Sequence, residues 1–376
     1  MQNKTFINLF NENNERFFYR EEALKNSKTE LEEFLKWDTN MNNLEFAKKM
    51  MYSHELKANN QVEGYLDEID LIKNVIKSKF KNIKSAEAIQ RILNLYYGYF
   101  YIIHNHEINE ESLHELYKIL SYGLLEEYDL KNMGKLYREA PVYIFQNGRM
   151  ETVLQEGLNY NDIEKYITMY FDFIDNYSCD SDVDQYIKSQ IMHFYFVFIH
   201  PYFDVNGRTS RTMSMWYLLE KKIYPYIIFN RGISFKGAKY DNRIKEAKLK
   251  RDLTYFLEMM LDTLKIELEK EHIMEEIKDN TTYKLNAQNY QSLLYFLTIN
   301  GFKSLAGFQS IYNRYNDKKK IKEIYHEMIE PLIDMDILKV VRFTKKSYGD
   351  INNMELELNP VKYTNDKNYL KRIKLK

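Results

Sequence analysis

The stretch His200-Pro-Tyr-Phe-Asp204-Val-Asn206-Gly207-Arg208-Thr-Ser-Arg211 limits what this chain can fold into more than any other. A helix-like apolar run, Ile191 to Ile199, leads into it, and a second helix, Thr209 to about Lys222, leads out. Pro201 stops the first helix, because proline lacks an N–H and disfavours helix in the residue before it. Asn206-Gly207 is a turn pair able to take positive φ or to cap the following helix. Arg208 and Arg211 then fall in that helix's first turn, three apart and on one face. A cation at a helix N-terminus opposes the macrodipole, at about 0.3–1 kcal/mol each. An anion seated between the helix N-terminus and the guanidinium groups removes that conflict. The stretch therefore reads as a phosphate site, with an imidazole, His200, and a carboxylate, Asp204, beside it.

At 376 residues the chain has room for two or three domains. With 44% apolar and 29% charged residues it can bury a sizeable core and is not globally disordered. Only 5 Pro and 12 Gly, with no low-complexity tract, favour long helices and short loops. The 33 tyrosines suit amphipathic packing at core edges. A single cysteine, Cys179, excludes an internal disulfide framework and fits a reducing compartment. The start, Met1-Gln-Asn-Lys-Thr-Phe6, lacks a signal peptide's basic-then-apolar order, and no apolar run reaches the ~18 residues of a membrane span. A cytoplasmic protein with no membrane contact is expected. The net charge of −1 hides an asymmetry: residues 281–376 hold 17 Lys+Arg against 10 Asp+Glu, or +7, leaving −8 for the first 280. Such a basic end faces nucleic acid in some proteins and only solvent in others.

In chain order, residues 1–50 are polar, with a helix expected from Thr29 to Trp37; Phe6, Phe10, Phe17 and Phe18 suggest an arm that packs on something. Helical spacing runs from Leu44 to about Lys77, broken at Ala58-Asn-Asn-Gln-Val-Glu63-Gly64, where the glycine marks a helix end. Glu63 would then stand in a last turn, disfavoured by the dipole unless a cation meets it. On the residues alone a solvent-facing side chain is the simpler reading. Ser85–Tyr101 and Asn109–Leu125 are helices, and His104 and His106 between them read as loop residues rather than metal ligands. From Gly134 to Val153, β-branched and aromatic residues flank Asn147-Gly148, a strong hairpin signal and the one clear β element before the C-terminal region. A lone hairpin must dock on the helices, and can hold an extended substrate segment by strand addition. Ile163–Tyr177 and Val183–Ile199 are helices; His193 reads as a satisfied core histidine. Tyr240–Leu264 adds one or two more, and Glu267–Asp279 a charged helical linker. Beyond Asn286, helices at 290–299, 305–315 and 321–335 precede strands Leu338–Thr344 and Met354–Leu358, a winged helix-turn-helix pattern. Its basic ribbon, Lys345–Asp350, and the tail Lys371–Lys376 make DNA or an acidic protein the candidate partners.

With these residues in view, His200–Arg211 resembles the Fic-family signature HPFx(D/E)GNGRxxR, agreeing at seven of nine specified positions. The upstream run His193–Ile199, the hairpin at Gly134–Val153 and Asp252-Leu-Thr-Tyr-Phe256 fall where the family has its helix, target-binding flap and later core helix. The resemblance covers residues 45–265. It implies a mainly α chain: a helical N-terminal region (1–84), an all-α core with a hairpin flap (85–270) and, outside the resemblance, the winged-helix-like module (281–376). It also implies transfer of AMP from ATP, with Mg²⁺, to a Ser, Thr or Tyr hydroxyl of a target protein. By resemblance His200 is the general base, Asp204 the metal residue, and Asn206, Gly207, Arg208 and Arg211 the nucleotide-binding set. The flap residues that face the target are then Tyr137, Val142, Tyr143 and Ile144. Related enzymes with lysine at the position of Gly207 are kinases, so Gly207 favours nucleotidyl transfer.

Many members also carry an inhibitory helix, (S/T)xxxE(G/N), which Asn59-Asn-Gln-Val-Glu63-Gly64 resembles with asparagine in place of Ser/Thr. That resemblance pairs Glu63 with Arg211 and reverses the solvent-facing reading of Glu63. Tyr202 replaces the family's Phe, a mild change, whereas Val205 replaces its first glycine. A β-branched residue there leaves two outcomes, an unchanged loop built on the Asn-Gly amides or altered nucleotide binding. The other readings are a nucleotide-sensing adaptor or DNA-binding regulator with a degenerate loop, a different phosphate-group transferase, a de-adenylylating enzyme, or a metal-dependent phosphohydrolase. The target and any homo-oligomeric state are not written in the sequence.

Overall fold

The computed structural model describes residues 3–37, 41–65, 86–105, 107–145, 153–279, 293, 303–315, 318–335, 337–343, 351 and 354–358. It is mainly α-helical, and the chain divides into two units, Met1–Glu267 and Leu268–Lys376. The first opens with an antiparallel hairpin, β1 (Thr5–Phe10) and β2 (Arg16–Tyr19). This corrects the expectation of no β element ahead of Gly134. Phe17, Phe18 and Tyr19 are all buried, so β2 shows none of the alternation that marks a half-exposed strand. Phe17 meets Phe194, Tyr195 and Phe198 edge-on at 5.2–5.9 Å, which is where the phenylalanine-rich arm docks.

Helix α1 (Glu21–Trp37) follows, then α2 (Leu44–Met50), capped by the Asn43 side chain. A π turn, Met51–Glu55, joins α2 to α3 (Leu56–Val62), and Gly64 at φ +86° takes the chain out of the helix. Only glycine adopts that angle without strain. The part of the expected helix that runs on to Lys77 lies outside the described residues. Glu55 is fully buried, and its two oxygens accept the N–H groups of Asn230 (2.9 Å) and Arg231 (3.3 Å). Burial pushes its carboxyl up to about 8, opposed by the charge of Arg231. One buried side chain thus ties the start of α3 to another helix's N-terminus.

The core is formed by α4 (Ala86–His104), α5 (Glu110–Ser121), α6 (Glu127–Asn132), the hairpin β3 (Val142–Phe145) and β4 (Val153–Glu156), α7 (Ile163–Asn176), α8 (Asp182–Ile199) and α9 (Asn206–Glu220). Asn109 and Ser112 form a capping box on α5, and Ser181 caps α8. Then come α10 (Phe229–Lys236), α11 (Ala238–Lys250) and α12 (Thr254–Asp279). Helix α8 is buried nearly all round, and its second half, from Ile191 to Ile199, is apolar except for His193, as a central helix requires. Its neighbour α9 is equally buried although it carries many hydroxyls. Those of Ser210, Thr212 and Ser214 donate to carbonyls at 2.8–3.1 Å, so their burial is compensated. Helix α9 begins at Asn206, not at Thr209, so Asn206-Gly207 is its first turn rather than a turn before it.

In the second unit, α13 (Leu305–Tyr315), α14 (Ile321–Ile324) and α15 (Glu330–Asp334), the last two joined by a π turn, accompany a three-stranded antiparallel sheet. Its order is β5 (Lys303–Ser304), β7 (Met354–Leu358), β6 (Leu338–Phe343). The expected helix at 290–299, apart from Leu293, and the basic segments 345–350 and 371–376 lie outside the described residues. Among the described residues no helix is long and apolar enough to cross a membrane.

Candidate active site at the α8–α9 junction

Helix α8 ends at His200, which adopts a left-handed conformation (φ 52°, ψ 61°) and donates its N–H to the Phe196 carbonyl at 2.9 Å. The following loop is held from three sides. Tyr202 is fully buried and stacks on Tyr117, ring centroids 3.4 Å apart, with Tyr137 at 5.9 Å. The Asn206 side chain closes the loop on itself, accepting from the Tyr202 N–H (3.0 Å) and donating to the Tyr202 carbonyl (2.8 Å). Asp204 accepts the Val205 N–H at 2.6 Å. Asn206 therefore offers an anion only its backbone; its side chain is used to shape the loop.

The positive φ falls on Val205 (67°), not on Asn206 or Gly207. A β-branched residue rarely takes this conformation, which costs of the order of 1–3 kcal/mol. Val205 is buried, so apolar packing offsets part of that cost. The loop thus makes a left-handed turn on a valine. No side chain caps α9, so the first-turn N–H groups face the loop without that partner.

Arg208 is buried, yet its Nε and Nη1 have no hydrogen-bond partner among the described residues. Its one ion pair among those residues is a long one, 3.7 Å to the half-exposed carboxylate of Asp204. Such a group is costly to bury unless something joins it, and an anion at the α9 N-terminus would. Arg211 stands in the second turn of α9 rather than the first, beyond most of the dipole's reach. It is also buried, but fully engaged. Its Nε donates to Asn59 Oδ1 (2.8 Å), and its Nη2 donates to the Asn59 carbonyl (3.3 Å) and to Glu63 Oε1 (2.5 Å). The nearby Tyr240 hydroxyl also favours the charged guanidinium.

Glu63 is the C-cap of α3, where the dipole disfavours a carboxylate, and the Arg211 cation that it meets answers that conflict. Burial pushes the Glu63 carboxyl up, but Arg211, then Arg208 and His200, outweigh it and hold the carboxyl below its ordinary value. Asn59 takes the place of the expected Ser/Thr by using both ends of its amide: Oδ1 on Arg211, and Nδ2 on the Tyr99 hydroxyl at 3.0 Å. His193 is the satisfied core histidine expected, its Nε2 2.7 Å from the Tyr240 hydroxyl, and burial pushes its pKa well down. Nothing in the sequence singles out Tyr240 or Tyr117, since neither stands near the motif in the chain.

The expected flap residues divide. Val142, Tyr143 and Ile144 lie on β3, which among the described residues pairs only with β4, from Val142↔Glu156 to Phe145↔Val153. Tyr137 does not belong with them. It precedes the strand, is buried against Tyr202, and its hydroxyl donates to Glu110 at 2.7 Å, so it supports the loop rather than facing a target.

The seat of Glu63 yields a prediction. A Cβ at Gly207 would stand 2.4 Å from Glu63 Oε1 and 3.0 Å from Arg211 Nη1. Gly207→Ala is therefore expected to push the flexible Glu63 carboxylate off Arg211, at a cost of about 1 kcal/mol. In a Glu63→Gly background the same change should cost clearly less, because the obstructed carboxylate is gone. Thermal unfolding of the four proteins of this cycle measures the coupling, and additive effects would refute the contact.

The sequence matches the Fic/DOC family over residues 107–218, which contain the flap hairpin, the junction loop and most of α9. Among solved structures, a Fic family protein from Desulfovibrio desulfuricans G20 superposes with a TM-score of 0.57 at 17% identity, covering 90% of this chain and 96% of that one. A singly substituted form of residues 134–508 of Fic-1 from C. elegans superposes with a TM-score of 0.50 at 15% identity, covering 69% and 73%. No curated protein matches the sequence.

Proposed function

We propose, from the match of residues 107–218 to the Fic/DOC family, that this chain is a transferase of a phosphate-bearing group and moves the AMP of ATP onto a protein hydroxyl. One observation supports this most directly: the buried, incompletely paired Arg208 at the uncapped head of α9, with His200 on the loop that enters it. His200 takes the proton from a Ser, Thr or Tyr hydroxyl. That oxygen bonds to the α-phosphorus, the bond from phosphorus to the bridging oxygen breaks, and pyrophosphate leaves. The N–H groups of Asn206 and Gly207, with Arg208, receive the charge that develops on the phosphate oxygens. Arg211 meets the outer phosphate once Glu63 has left it. The edge of β3 turned away from β4 holds the target segment by strand addition.

Asp204 suits Mg²⁺ as a single, half-exposed carboxylate at the mouth of the site, since such an ion completes its shell with phosphate and water. Among the described residues no group of three His, Cys, Asp or Glu could hold a metal alone. The fit is thus to an ion that arrives with nucleotide, and when bound it neutralises phosphate charge. With Glu63 on Arg211, the enzyme is held in an inhibited state.

The test uses Glu63→Gly protein with Mg²⁺ and ATP labelled at the α- or the γ-phosphate. Covalent α-label with no γ-label is expected. Transfer of γ-label would identify a kinase, and release of free phosphate without protein labelling a phosphohydrolase. Nucleotide binding without turnover would leave a sensor.

A further inference from the structure

Arg138 lies 62 residues before His200, yet its side chain reaches the same loop. It is 1% exposed and ranks among the largest fully buried side chains. Its Nε donates to the His200 carbonyl (2.8 Å), Nη1 to the Ala140 carbonyl (2.9 Å) and Nη2 to the Leu158 carbonyl (2.6 Å). Two main-chain bonds run alongside: the Arg138 N–H donates to the Pro201 carbonyl (3.1 Å) and the Leu158 N–H to the Ile199 carbonyl (3.2 Å). Ala140 lies just before β3 and Leu158 just after β4. One guanidinium therefore grips both roots of the flap and the carbonyl of the candidate base.

The chemistry of the contact points the same way. Burial lowers the Arg138 pKa to about 10, which still leaves it charged at neutral pH. The three carbonyl dipoles solvate the cation, and only a planar fork presents donors in three fixed directions at once. Lysine would offer one ammonium on a flexible stem. The carbonyl it holds belongs to a residue in a left-handed conformation, sparsely populated for any non-glycine residue, so something must over-determine it. The packing around this contact is tight: a Cβ at Gly157 would come within 2.3 Å of His200 Cβ and 3.2 Å of Arg138 Nη2.

We propose that Arg138 is a positioning residue that fixes His200 to both roots of the flap, so that base and bound target segment keep one register. The inference rests on the reading of His200 as base, but the placement it predicts can be measured without activity. In Glu63→Gly protein, Arg138→Lys and Arg138→Met are compared with the parent in three ways. Crystal structures are expected to show His200 moved by about 1 Å or out of the left-handed conformation, with Asn206–Glu220 unchanged. ATP affinity, by calorimetry, should stay within about twofold, since Arg138 touches none of residues 206–211. The initial rate of α-label transfer at saturating ATP should fall about 10²-fold, the effect of a ~1 Å misplacement at the reacting centre. His200 superposing on the parent within about 0.5 Å overturns the proposal even if the parent labels nothing, and so does a maximal rate within about threefold of an active parent. Should Arg138→Met fail to fold, Arg138→Lys alone decides by the same criteria.

Discussion

Replacing His200 with alanine in Glu63→Gly protein is expected to lower the initial rate of α-label transfer by about 10²–10⁴-fold, the usual worth of a positioned general base. Nucleotide affinity should survive, because the α9 N–H groups, Arg208 and Arg211 do not depend on the imidazole. The maximal rate should therefore fall with little change in the ATP concentration needed for half of it, the pattern of an interaction made only in the transition state. The histidine's backbone is held by the Arg138 guanidinium and by Phe196, so truncating its ring should leave the loop in place. A rate within about tenfold of the parent would remove His200 from the chemistry.

The second large effect is expected at Glu63. In the proposed function its carboxylate competes with a phosphate for Arg211, and a charged hydrogen bond of this kind is worth about 1.5–3 kcal/mol. About a third of the Glu63 side chain still meets solvent, which screens the pair and places it toward the lower part of that range. Since each 1.4 kcal/mol is about tenfold, Glu63→Gly should raise labelling by roughly 10–100-fold. Labelling no stronger than wild type would end the inhibitory assignment. The variant should also be less stable at neutral pH, though the two hydrogen bonds to Asn59 keep Arg211 from being abandoned.

The pH dependence has a definite sign. Glu63 titrates lower in the folded chain than its ordinary 4.5, because Arg211, Arg208 and His200 outweigh burial. The stabilisation is therefore fully present above about 4.5 and lost as pH falls through the lower folded value. Unfolding midpoints of wild type and Glu63→Gly should differ at pH 7 and converge in acid.

Much of the first unit is legible in the sequence because its signals are local. Asn109 and Gly64 mark helix ends within a few residues, and Pro201 ends α8 whatever surrounds it. Two departures have one cause. The β1–β2 hairpin escapes a reading by periodicity because β2 is buried on both faces and loses the alternation by which strands are read. Asn206-Gly207 can take positive φ or cap the next helix, but the closed loop places the positive φ on Val205, compensated through burial, and starts the helix at Asn206. Tyr137 departs from the flap for a similar reason: its neighbours are strand residues in sequence, but its ring is held by Tyr202 and its hydroxyl by Glu110.

By itself the sequence determined the kind of site: an imidazole, a carboxylate and two arginines around a helix start, and a glutamate left at another helix's end without a partner. Those conclusions follow from chain-local physics, the missing N–H of proline and the direction of the helix dipole. Only the tertiary structure decided how those charges are seated, including the Glu63–Arg211 pair that the family resemblance implies. It set Glu63 against Gly207 and on Arg211, left Arg208 incompletely paired, and brought Arg138 across 62 residues to the carbonyl of His200. Such pairings depend on how helices pack, and side-chain packing across a core leaves no periodic trace along the chain.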